Sequence, residues 1–109
     1  MKVPFRRVIL LSLLLPLGSV AGPLAGSLDG AAIYTGKTCV TCHGIDGNAP
    51  TKTDYPRLAC QVADYAYGQM LDIKSGVRNN RQSEAMRPVM NVVSEAEMRA
   101  IADWLATLK

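Results

Sequence analysis

Histidine is nearly absent from this chain: its 109 residues hold one, His43. A site built from several imidazoles is therefore excluded. A four-ligand zinc site would have to draw on all three cysteines together with that histidine. Cysteine is scarce and odd in number, so a framework of paired disulfides leaves one over. The alternating pattern of a half-buried strand occurs nowhere, which excludes all-β and βαβ designs. No internal repeat or low-complexity tract is present. Charge of one sign is missing too. The formal +3 comes wholly from Lys2, Arg6 and Arg7, and residues 22–109 carry nine basic and nine acidic side chains. No basic stripe with interleaved aromatics exists, so nucleic acid is excluded as a partner.

The chain length allows one domain. Lys2, Arg6 and Arg7 form a basic start, Val8 to Leu17 is apolar except at Ser12 and Pro16, and Ser19-Val20-Ala21 offers small residues for a signal peptidase. Residues 1–21 read as a cleaved secretory signal peptide, with 22–109 as the domain. The alternatives are cleavage after Ala25 or an uncleaved anchor. The apolar run is short for a bilayer, so no membrane span is expected after cleavage. Export would place the chain in a bacterial periplasm, where free thiols are oxidised.

In the domain, a helix is expected over about 28–43 and a second over about 61–75, whose apolar face runs Val62, Ala66, Met70 and Ile73. Gly76 follows as its C-terminal cap. A third helix opens on a capping box, Ser94 with Glu97, and lines Met98, Ile101, Ala102, Leu105 and Leu108 along one face. Residues 44–59 and 77–93 read as loops. Two loops of that length are excessive for a small all-α domain. A large flat apolar cofactor would explain them, because the loops would wrap it and it would serve as core.

Cys39-Val40-Thr41-Cys42-His43 names such a cofactor. A redox disulfide pair would follow a strand, and none precedes Cys39. Cys-x-x-Cys-His is the attachment signature of c-type haem. On one helical turn Cys39 and Cys42 share a face and can each add to a vinyl group, while His43 directs its imidazole at the iron. The iron's other face needs explaining: an open site would suggest gas binding or catalysis, whereas a thioether would close it for electron transfer. Met70 and Met98 fall at core spacing. Met86 and Met90 lie in the second loop, and Pro88, expected to keep that loop from closing into helix, favours Met86 as ligand and Met90 as filler.

The stretches CVTCHGIDGNAP (39–50), YPRLACQ (55–61), YGQMLDIKSG (67–76), AMRPVM (85–90) and SEAEMRAIADWLATL (94–108) together resemble a class I cytochrome c, and within it a single, monohaem domain of the cytochrome c-4 type. The resemblance implies a small all-α fold of three or more helices around one haem c, covalently attached through Cys39 and Cys42. It implies His43 and Met86 as the iron's axial ligands. It also implies that the carbonyl of Pro50 accepts the histidine ring's hydrogen bond, and that Trp104 packs on a small face made by Ala32 and Gly36. Tyr55, Arg57 and Arg81 fall in segments that border the haem. Cys60 departs from the family pattern Leu-Ala-Gly-Gln and is expected to be a small buried residue, with a bridge to a partner chain as the alternative.

No general base, nucleophile or open metal site is evident, so catalysis on a substrate is not expected. The expected function is a periplasmic one-electron carrier between redox proteins, with a flavoprotein or an oxidase as candidate partners. Rim charges Lys52, Arg57, Arg78 and Arg87 would steer an acidic partner. The alternative is a cytochrome subunit of a periplasmic dehydrogenase, for example a flavoprotein sulfide dehydrogenase.

Overall fold

A computed structural model of the chain describes Gly18 and residues 27–109. The expected signal peptide therefore lies, Gly18 apart, outside the described residues. Those residues form five helices and no strand: α1 (Gly30–Gly36), α2 (Val40–His43), α3 (Ala63–Ser75), α4 (Ser83–Asn91) and α5 (Glu95–Thr107). None is long and apolar enough to cross a membrane.

α5 is the centrepiece, packing on α1 and α3, while α4 packs on α3. The capping box is present: the Ser94 hydroxyl accepts from the Glu97 N–H at 3.1 Å, and the Glu97 carboxylate accepts from the Ser94 N–H at 2.8 Å. Met98, Ile101, Ala102 and Leu105 are buried as their spacing requires, with Tyr34, Ile73, Met90 and Val93 completing the core. Gly76 caps α3 in the left-handed conformation.

Three expectations change. The single helix over 28–43 is two, because Lys37 caps α1 and Thr38 turns the backbone to φ 65°. That value is costly for a β-branched residue, and it frees the Cys39–His43 segment to make a turn of its own. Val62 caps α3 instead of facing the core and is 71 % exposed. The second loop contains a whole helix, α4, with Pro88 inside it. Proline removes only the bond to the Glu84 carbonyl, and the stripe Met86, Val89, Met90, Val93 (spaced i, i+3, i+4, i+7) packs on the core in compensation.

The close approach between α1 and α5 also differs. It occurs at Gly30, where an added methyl would overlap the Ala100 carbonyl and lie 2.7 Å from Trp104 Cβ. Ala32 and Gly36 are exposed, and nothing lies within 4 Å of a methyl at Gly36. Trp104 packs instead on Tyr34, with ring centroids 5.0 Å apart at 53°. Gly30, Ile33, Tyr34 and Lys37 share one helical face, whereas Ala32 and Gly36 lie on the other.

Cys60 is exposed, not buried, and has φ 65°. Its N–H donates to the Leu105 carbonyl at 3.1 Å, which fixes the backbone in that conformation. A glycine would adopt it without the Cβ clash that costs other residues about 1–2 kcal/mol. Cys60→Gly is accordingly expected to stabilise the protein by about 1 kcal/mol, read as a higher midpoint in urea with an unchanged slope. An unchanged or lower midpoint would show that the thiol makes a contact worth more than the strain.

Candidate functional site

The Cys-x-x-Cys-His segment is built as one short helical turn. The His43 N–H donates to the Cys39 carbonyl and the Gly44 N–H to that of Val40, both at 3.0 Å. Both cysteines are free thiols and half-buried. Their spacing of three puts them on one side of the turn. Burial, with Cys42 alongside, raises the Cys39 thiol above its ordinary range.

The turn is held from three sides. The buried Tyr34 hydroxyl donates to the Gly44 carbonyl at 2.8 Å, and burial pushes that phenol up to about 12. The Thr51 N–H donates to the Cys42 carbonyl at 3.0 Å. Gly44 itself has φ 84°, and an added methyl there would overlap the Ala49 carbonyl.

His43 is 4 % exposed. Its Nδ1 lies 2.9 Å from the carbonyl of Pro56. A carbonyl can only accept, so Nδ1 carries the proton and Nε2 presents a bare lone pair. The orienting carbonyl is thus that of Pro56 and not, as expected, that of Pro50. The loop returns through Gly47, whose carbonyl accepts from Leu58 and Ala59, and this brings the Tyr55–Arg57 stretch over the ring. Burial pulls the imidazole pKa down, the Pro56 bond opposing it.

Nε2 is the one buried side-chain nitrogen or oxygen among the described residues without a hydrogen-bond partner. Leaving such an atom dry costs about 1–3 kcal/mol. A neutral imidazole, locked in one tautomer with an unspent lone pair beside two free thiols, is the donor set that haem c requires.

Met90 is 1 % exposed and fills the core, as expected of it, while Met86 is half-buried against that core from α4. Met70 is half-buried and Met98 fully buried. Tyr55 stands near His43, with ring centroids 6.5 Å apart, and Lys52 sits 5.5 Å above the Tyr55 ring. Arg57 donates to the Asn48 side chain, while Arg81 is exposed with φ 52°. Arg78 donates to Gln69 at 2.7 Å, and Arg87 to the Ser75 carbonyl at 3.5 Å, so these two rim charges are partly engaged inside the fold.

A family model described as Cytochrome c matches residues 27–109. The chain belongs to the cytochrome c family. It is similar to the thiosulfate dehydrogenase electron acceptor of Stutzerimonas stutzeri, 36 % identical over 104 residues, covering 85 % of this chain and 47 % of that protein. Cytochrome c4 of Pseudomonas aeruginosa is 35 % identical over 101 residues, covering 93 % of this chain and 48 % of its own. The chain thus spans about half the length of these relatives. Cytochrome c-551 of Stutzerimonas stutzeri is of similar size, 30 % identical over 103 residues and covering 89 % and 97 %. A solved cytochrome c4 of Acidithiobacillus ferrooxidans superposes with a TM-score of 0.63 at 30 % identity, covering 83 % of this chain and 54 % of that one. The fold is that of a class I cytochrome c, matching a single cytochrome c4 domain. Membership implies one covalently bound haem c with its iron, and Cys39, Cys42 and His43 stand at its attachment motif. The relatives it matches are cytochromes c, which are electron-transfer proteins.

Proposed function

We propose that this cytochrome is an exported, periplasmic monohaem carrier that passes one electron at a time between larger redox proteins. Cys39 and Cys42 would hold the haem through thioethers, and His43 Nε2 and the Met86 sulfur would hold its iron. The observation that carries the reading is the buried, unpartnered Nε2 of His43. Bound haem supplies a metal that gains and loses one electron. The residues do the rest. Pro56 fixes the imidazole's orientation and raises its basicity. Tyr34, Thr51 and Gly44 hold the turn that carries both cysteines. Leu58, Tyr67, Leu71 and Val89 pack against the buried core.

Two measurements test it. Mass spectrometry of the protein matured in a c-type host is expected to show one haem bound through both cysteines. Replacing Met86 by alanine is expected to lower the reduction potential by a sizeable part of the roughly 0.8 V range that axial ligands span, and to abolish the thioether-to-ferric-iron charge-transfer band. Retention of that band would move the ligand to another methionine.

The name of one relative, an electron acceptor for thiosulfate dehydrogenase, supports a sulfur-compound dehydrogenase as electron donor. The second reading, a fixed cytochrome subunit of such a dehydrogenase, separates from the first by size-exclusion of the native protein with haem and flavin absorbance recorded together. A small haem peak alone fits the free carrier. Haem at higher mass, with flavin, fits the subunit.

A further inference from the structure

The corner where α4 turns into α5 is fastened by two lysines from other helices. Between Asn91 and Glu95 only Val92, Val93 and Ser94 make the turn. The Lys74 ammonium, from the last turn of α3, donates to the Val93 carbonyl at 2.8 Å. The Lys37 ammonium, from the cap of α1, donates to the Val92 carbonyl at 2.7 Å and pairs with Glu97 at 3.4 Å. That Glu97 is the residue whose carboxylate closes the α5 capping box.

α4 needs such support. It has nine residues, lacks the bond that Pro88 cannot donate, has no side-chain N-cap and carries no basic residue in its own last turn. Isolated helices this short are marginal in water. The positive charge that favours a helix C-terminus is here supplied from outside. Below that corner lie Val93 and Met90, each 1 % exposed, and one turn before Met90 lies Met86.

We propose that Lys74, assisted by Lys37, is a positioning residue for the Met86 sulfur. The two ammonium groups pin the end of α4, and through Val93 and Met90 they hold Met86 where the iron's second face needs it. A ligand held by the frame and not by the iron alone stays in place in both oxidation states. This inference rests on the assignment of Met86 as distal ligand.

The test uses the ferric holoprotein in urea, following the thioether-to-ferric-iron charge-transfer band and the helical circular dichroism separately. Lys74→Met keeps the stem and removes the charge. It is expected to raise the population with displaced sulfur about tenfold at a given urea concentration, as fits loss of a charge-assisted bond, while the helical signal falls later. Lys37→Met, at a side chain 31 % exposed, is expected to raise it about threefold, the surface position weakening its hold. Lys74→Arg is expected to restore most of the wild-type behaviour.

Band and helix moving together, or neither moving, would overturn the proposal and leave lysines that serve general stability or nothing. Should Lys74→Met fail to fold, Lys37→Met carries the same two-signal comparison. A wild-type protein without the band refutes the Met86 assignment and the lysine role with it. A band present but indifferent to both lysines refutes the lysine role alone.

Discussion

His43→Ala is expected to abolish the low-spin spectrum of the ferrous protein and to destabilise the fold by more than about 4 kcal/mol, the range reached when a metal bond is lost. The expectation follows from how completely the structure commits this side chain. Its Nδ1 proton goes to the Pro56 carbonyl, and its Nε2 is buried with no protein partner. Alanine removes the proposed iron ligand and leaves the Pro56 carbonyl without its donor.

The two cysteines are untouched, so haem is expected to remain covalently bound in the variant. This separates the two functions of the motif. Mass spectrometry should still find the haem adduct, while visible spectroscopy should find a high-spin iron and urea unfolding a much lower midpoint. Exogenous imidazole is expected to restore part of the low-spin spectrum by occupying the vacated volume. An unchanged ferrous spectrum would mean that another group holds the iron, and the attachment motif would then be only an anchor.

The attachment motif was legible from the sequence because its three residues lie within five positions and need only one helical turn to meet. α5 was legible for a similar reason: its capping box and its apolar stripe are both local. The errors lie where distant segments decide. Pro50 and Pro56 both occur in the loop after the motif, and nothing nearby distinguishes them. The choice is made by the hydrogen bonds that Leu58 and Ala59 donate to the Gly47 carbonyl, which fold the later proline back over the ring.

α4 carries a readable signal, the stripe Met86, Val89, Met90, Val93, whereas the expected loop rests on Pro88. Tertiary packing overrides the proline, because one missing backbone bond costs less than four apolar side chains gain by burial. The contacts of Lys37 and Lys74 are not legible in the sequence, since a backbone carbonyl from another helix leaves no mark there. The outline of the site was therefore present in the chain as written. Its second layer of supporting contacts was not.

The rotation of α1 against α5 gives the sharpest check on that second layer, through two glycines expected to respond in opposite directions. Gly30→Ala would drive a methyl into the Ala100 carbonyl and to within 2.7 Å of Trp104 Cβ. Neither can retreat alone, because both belong to the well-packed body of α5. The helices must separate, which opens the Tyr34–Trp104 contact and loosens the hydroxyl that Tyr34 donates beside the haem-binding turn. The expected cost is about 3 kcal/mol, the upper part of the overpacking range. In a domain of this size that lowers Tm by roughly 12–24 °C.

Gly36→Ala meets nothing within 4 Å. It replaces a helical glycine by the best helix former and is expected to stabilise by about 0.5–1 kcal/mol. Thermal melts of the two holoproteins side by side decide the matter. If Gly36→Ala were the damaging change and Gly30→Ala the benign one, α1 would face α5 through Ala32 and Gly36. That face lies about 200° around the helix from Gly30 and Tyr34 when counted by two positions at 3.6 residues per turn. Tyr34 could not then be buried beneath Trp104, and the hydroxyl that braces Gly44 would have to be supplied by another residue.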